Sequence, residues 1–182
     1  MVPLNDSSWS WVNQGGAAMT TVGSTKMMTV PANTGDSLRC RLRTVPSPPY
    51  TITAMVLNDY YPANYYHTGI VLYDSGTGRL QTWGYGYNSG MAQAVYNWSN
   101  TTTYNSTPGG ALQIHTPYTF FRVVDDGTNL TFSSSTHGFD FSNVFFTTTR
   151  AAWIGTITDI GLMSDCNNNR PGNMLVLHWE VT

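Results

Sequence analysis

Charge is scarce in this sequence. Only 10% of the 182 residues are charged, and they include a single glutamate, Glu180, and a single lysine, Lys26. An ordinary globular domain carries about a quarter. With a net charge of −2, the chain has no broad positive field for nucleic acid or for an anionic membrane surface. Long apolar runs are missing too. None approaches the ~20 residues needed to cross a bilayer, so membrane insertion is not expected. The start, "MVPLNDSSWSWVNQGG", has neither a basic opening nor an apolar stretch, so no secretory signal is read there. The two cysteines, Cys40 and Cys166, form no C-x-x-C pair, and zinc chemistry has no support. One long-loop disulfide and two separate thiols both remain open. Helical periodicity is absent as well, for no segment beyond about ten residues repeats apolar positions at helix spacing.

In place of charge the chain has Ser, Thr, Asn, Gly and Tyr. It is 41% hydrophobic and 13% aromatic, enough for one domain that buries roughly 70% of its unfolded surface. A surface of hydroxyls and amides suits an extracellular or virion protein facing neutral partners. We read residues 1–7 as a tail and 8–182 as the domain.

Short strand-like runs between turn residues fill the domain. The clearest is "SLRCRLR" at 37–43. Leu38, Cys40 and Leu42 share one face, which places Cys40 towards the core, while Arg39, Arg41 and Arg43 share the other. "DSGTG" at 74–78 and Asp126-Gly127-Thr128 are hairpin turns, because glycine supplies the positive φ such turns need. About eleven strands result, more than a small immunoglobulin-type sandwich holds. The fold class is all-β, a two-sheet antiparallel jelly roll.

Several segments in order, "PPYTITAMVL", "GIVLYDSGTGRLQTWGYG", "FFRVVDDGTNLTFSSSTHGFDF" and "IGLMSD…MLVLHWEV", resemble concanavalin A-like lectin/glucanase domains. The resemblance is strongest to versions found in bacteriophage and prophage structural proteins, and it covers residues 8–182. Where the family pattern reads S-x-D-G-x-x-F, this sequence has "STHGFDF" with His137 in place of the Asp. The resemblance implies a sandwich with one concave face. Lectins, glycoside hydrolases and virion parts all use that fold, so function must come from the site.

Glycoside hydrolysis needs two carboxyl groups about 5–9.5 Å apart. Glucanases of the resembled fold carry them on an E-x-D-x-E-like strand. This sequence shows no such strand; Asp125 and Asp126 are adjacent at a turn, and Glu180 shares a face only with His178. No catalytic residue is assigned, and no metal or other cofactor. The four histidines lack metal-ligand spacing, and the acids at 125 and 126 are explained by the hairpin.

Sugar recognition needs aromatic faces with amide and hydroxyl partners. "NDYYPANYYH" at 58–67 places Tyr60, Tyr61, Tyr65 and Tyr66 in a loop between strands. Trp83, Tyr85 and Tyr87 alternate along one strand, with Gly84 and Gly86 on its opposite face. This ladder is either core or ligand face. The ligand-binding candidates are Tyr60, Tyr61, Tyr65, Tyr66, Tyr87 and Trp98. The arginine stripe reads as a solvated outer face or a grip for acidic partners. The function expected is a non-catalytic carbohydrate-binding module of a virion or cell-surface protein, of phage tail-fibre or receptor-binding type. Its partner would be a host-surface glycan, and homo-oligomers are compatible with it. The alternative is a structural or decoration protein that binds other virion subunits; a divergent glycoside hydrolase ranks last.

Overall fold

The computed structural model describes residues 4, 7–59, 64–114, 119–167 and 170–182. Its strands are β1 (Ser10–Val12), β2 (Ala18–Val22), β3 (Thr25–Val30), β4 (Arg39–Thr44), β5 (Tyr50–Asn58), β6 (Tyr66–Tyr73), β7 (Leu80–Tyr87) and β8 (Met91–Asn100). They continue with β9 (Thr103–Ser106), β10 (Ala111–Gln113), β11 (Phe120–Asp125), β12 (Asn129–Ser135), β13 (Val144–Thr149), β14 (Asp159–Cys166) and β15 (Gly172–Val181). One 3-10 turn, Arg150–Ala152, follows β13.

The strands form two antiparallel sheets. The first has the order β1-β4-β14-β6-β7-β8-β10, with β9 also on β8; the second runs β13-β12-β11-β5-β15-β3-β2. The all-β two-sheet sandwich is thus as expected from sequence. The strand count rises from about eleven to fifteen among the described residues, the additions being β1, β2, β3 and β10. These are short, and β2 and β10 are exposed or nearly so, so they carry little of the alternation that marks a buried strand. Both expected hairpins form. Gly78 and Gly127 have φ of 77° and 94°, and the Asp74 and Asp125 carboxylates accept the turn amides of Gly76 and Gly127, each at 2.9 Å.

Between the sheets lies the main core. Ile52, Ala54, Val56, Phe121 and Val123 face Ile70, Leu72, Trp83, Val95 and Leu162, all fully buried. Each large side chain removed from water there contributes about 1.5–3 kcal/mol. Trp83 crosses the layers: its indole N–H donates to the Ser133 carbonyl at 3.0 Å, and its ring meets the Phe121 edge at 5.3 Å. Trp83 and Tyr85 are therefore core, at 0% and 2% exposure.

This layering corrects one expectation, the solvated arginine face. Leu4, assigned to a tail, is buried, and its carbonyl accepts from Arg41 Nε at 3.3 Å. The 37–43 segment alternates as expected, and Leu38, Cys40 and Leu42 lie in a buried core, though on the side of the first sheet away from the second. Directly paired residues share a face. Leu42 and Cys40 pair with Gly161 and Met163, and these pair with Val71 and Gly69, so all point away from the second sheet. Arg39, Arg41 and Arg43 turn to the inter-sheet side at the sandwich edge. Arg41 lies over the Trp11 ring at 5.3 Å, and Arg39 Nη1 donates to the Asn13 carbonyl at 3.1 Å. The stripe closes an edge and is not a solvated face.

Cys40 and Cys166 are free, buried thiols. Cys40 points to the outer side of the first sheet, whereas Cys166, paired with Tyr66, points between the sheets. Burial first, and the nearby Asp165 carboxylate second, push both thiols up, Cys166 to about 12. Because the thiolate is the reactive form, the folded protein should resist iodoacetamide at about pH 8, where an ordinary thiol reacts. Both sites should alkylate in denaturant. Rapid labelling of the folded chain, followed by mass spectrometry, would contradict this burial.

Candidate functional site

The outer side of the first sheet is strongly concave. In sheet order, β14, β6 and β7 separate β4 from β8. Nevertheless the Leu38 amide, one residue before β4, donates to the Thr101 carbonyl just after β8 at 2.8 Å. The sheet curls until its flanks touch. Inside the curl sits a second, smaller core of Leu38, Cys40, Leu42, Val71, Leu80, Trp98 and Met163, each at most 1% exposed. This part of the concave face is filled with hydrocarbon.

One end of the curl stays open as a cavity of about 320 Å³, lined by Asp36, Tyr65, His67, Tyr87, Asn88, Tyr96, Tyr104 and Thr107. Period-2 alternation delivers His67 and Tyr96 to it, since both point outward from β6 and β8. Gly86 pairs opposite Ala92 on the same face, and a Cβ there would collide with the Tyr96 hydroxyl. The glycine therefore makes room for that ring.

Loops supply the remaining wall. Asn64 Oδ1 accepts the Ser89 amide at 2.7 Å, which ties the segment before β6 to the β7–β8 turn. The Tyr65 amide donates to the Asn167 carbonyl at 2.9 Å. Tyr65 is consequently held beside Tyr87 and Asn88 with its ring 44% exposed. Tyr104, 43% exposed, shares a 2.7 Å hydrogen bond with the Thr107 hydroxyl. Its ring stands edge-on to Trp98 at 5.7 Å.

The floor is aromatic and polar together. His67 is almost wholly buried, with its ring 4.6 Å from Tyr96 and 5.1 Å from Trp98, both edge-to-face. Behind it lies Asp165, 0% exposed. Asp165 Oδ1 accepts the Ser37 amide at 3.1 Å, while Oδ2 is 3.9 Å from His67 Nδ1, too far for a hydrogen bond. Asp36 Oδ1 accepts from the Asn167 side-chain amide at 2.7 Å. Burial, with Tyr104 nearby, raises the Tyr96 phenol well above its ordinary value. It therefore stays a neutral hydroxyl, able to donate.

Of the sequence candidates, Tyr65 and Tyr87 line this cavity. Tyr66 does not: it is 5% exposed and points between the sheets, opposite Cys166. Trp98 does not line it either, being 0% exposed beneath His67 and Tyr104. For Trp98 the reason is the curl, which turns an outward position on β8 into an interior one; Tyr66 simply falls on the inter-sheet face of β6. Tyr60 and Tyr61 lie outside the described residues. Sequence reasoning missed Tyr96, Tyr104, His67, Asp36, Asn88 and Thr107. Tyr96 and His67 carried a readable signal, their outward alternation along β8 and β6. Tyr104 sits on the short, largely exposed β9, and Asp36, Asn88 and Thr107 arrive through loops that register does not govern.

A second cleft, of about 290 Å³, is lined by Gln93, Thr119, Ser134, Ser135, His137, Asp140 and neighbours, including the "STHGFDF" loop. It offers hydroxyls and amides but no tyrosine or tryptophan face. His178 and Glu180, 3.6 Å apart, are 40% and 56% exposed, a surface pair rather than part of either cavity.

No protein-family model and no curated protein matches this sequence. Solved structures do. A GH43 protein, BlXynB, from Bacillus licheniformis superposes with a TM-score of 0.69 at 13% identity, over 96% of this chain but 36% of its own. The carbohydrate-binding module CBM66 from Bacillus subtilis gives 0.55 at 7% identity, over 97% and 96%. The fold is one shared by sugar-binding and glycoside-hydrolase sandwiches. The CBM2 module of the Lactobacillus casei BL23 phage J-1 evolved Dit also aligns, with a TM-score of 0.54 at 8% identity over 95% of this chain and 91% of its own. At such identities the likeness concerns the fold, and the cavity's own chemistry must carry any functional reading.

Proposed function

We propose that this domain is a non-catalytic carbohydrate-binding module of a virion or cell-surface protein, of phage tail-fibre or receptor-binding type. The observation that carries the reading is the cavity at the open end of the curl. Four tyrosines line it together with Asn88, Thr107 and Asp36, the pairing of ring faces with hydroxyl and amide partners that a sugar requires. Its shallowness favours weak contacts made strong by several copies in one assembly. The carbohydrate-binding neighbours in fold support this reading, and the phage module among them supports its setting. The absence of catalysis is supported by Asp165, whose carboxylate is shut behind His67 instead of facing the cavity.

The test is a glycan array of capsule, lipopolysaccharide and cell-wall glycans probed with the isolated domain, beside Tyr65→Ala and Tyr104→Ala. Each substitution should weaken a bound glycan about tenfold, or ~1.4 kcal/mol, as expected when an aromatic contact and its buried area are lost. Silence across the array would sink the reading in favour of a structural or decoration protein that binds other subunits. Phe139, 91% exposed, is the feature that favours that second role. Release of reducing ends from any polysaccharide would establish a glycosidase instead.

A further inference from the structure

The charge of the cavity is one-sided. Asp36 lines it, and no lysine or arginine is among its lining residues. A second carboxylate, Asp165, stands immediately behind the wall, buried and joined to the same strip of chain through the Ser37 amide. Asp165 Oδ2 has no hydrogen-bond partner among the described residues. A cavity lined by one carboxylate, with a second buried behind its low-dielectric wall, concentrates negative potential. The tyrosine rings add to it, since the face of an aromatic ring attracts a cation.

Resting on the carbohydrate reading, we infer that the cavity selects a protonated amino sugar over its N-acetylated or acidic counterparts. The ammonium group lies among the tyrosine rings near Asp36, and Asn88 and Thr107 meet the ring hydroxyls. An N-acetylated sugar keeps the stacking but loses the charge. A uronic acid meets repulsion from Asp36 and Asp165.

The experiment is a calorimetric titration of the whole domain with a glucosamine hexamer, an N-acetylglucosamine hexamer and an oligogalacturonate, at about pH 6, where an amine is still largely protonated. The glucosamine oligomer should bind about tenfold more tightly than the acetylated one, with the acidic oligomer weakest. Asp36→Asn should bring the first two within about twofold, because the glucosamine oligomer loses far more affinity than the acetylated one. Independently of any variant, raising salt from about 20 to 200 mM should shrink the preference. Equal binding of both hexamers, or a preference insensitive to both Asp36→Asn and salt, overturns the inference and leaves carbohydrate binding standing. No binding of any oligomer, with Tyr65→Ala indistinguishable from wild type, removes both.

Discussion

Replacing Trp98 with alanine should cost about 3–5 kcal/mol of folding stability, the range for emptying a large aromatic site in a core. The indole is 0% exposed inside the curl. Its neighbours there come from β4, β6, β7 and β14, so the structure has little freedom to collapse into the space. For a domain of this size the loss amounts to a fall of roughly 6–20 °C in Tm, against a total stability of about 5–15 kcal/mol. The edge contacts from His67 and Tyr104 to this ring add a second consequence. Both residues line the cavity, so any folded Trp98 variant should also bind glycan poorly. Tyr65→Ala provides the contrast: a ring 44% exposed should leave stability within about 0.5 kcal/mol while still weakening binding. Urea unfolding of the two variants side by side decides the matter. A cost below 1 kcal/mol for Trp98→Ala would mean that the curl does not close.

The other large effect is expected at Arg150. Asp125 is 0% exposed at the end of β11, and its Oδ2 meets Arg150 Nη2 at 2.8 Å. The Arg150 amide also donates to the Thr128 carbonyl at 2.9 Å, which fastens the end of β13 to the β11–β12 hairpin. Tyr50 pairs opposite Asp125, and its phenol is pushed up by burial first and by this carboxylate next. Arg150→Met strips the partner from a buried charge, which typically costs 3–5 kcal/mol. Since Arg150 keeps 20% exposure, we place the loss near 3 kcal/mol. Asp125→Asn in the same background should recover part of it, because the uncompensated charge disappears while Asn can still accept the Gly127 amide. If Arg150→Met costs under 1 kcal/mol, or the double variant is no better than the single, the pair does not hold the hairpin.

Alternation and turn chemistry made most of the sandwich legible. The runs that became β11 and β15 bury alternate positions, while those that became β6, β7, β8 and β14 are buried almost throughout and were marked by β-rich composition between turn residues. The short strands β1, β2, β3 and β10 were not legible, because strands that remain partly exposed do not need an apolar face. Of the site, Tyr65 was legible because four tyrosines exceed what a loop needs, and Tyr87 because it ends an alternating ladder. Asp36 and Tyr104 were not, since Asp36 enters through a loop and Tyr104 sits on the short, largely exposed β9, where no buried alternation records a destination.

The sequence by itself determined the class of fold, the two hairpins and the pairing of residues into alternating sets, since local stereochemistry and periodicity settle those. It left undecided which set would face the partner sheet, because a strand with period two looks the same from either side. That choice belonged to the tertiary structure. Arg39, Arg41 and Arg43 went to the sandwich edge, and Cys40 and Leu42 went into the curl. The curl itself, fixed by contact between residues 38 and 101, buried Trp98 and left Tyr65, Tyr87, Tyr96 and Tyr104 around the open end. A sheet's curvature arises from packing summed over many strands, and no single segment contains it.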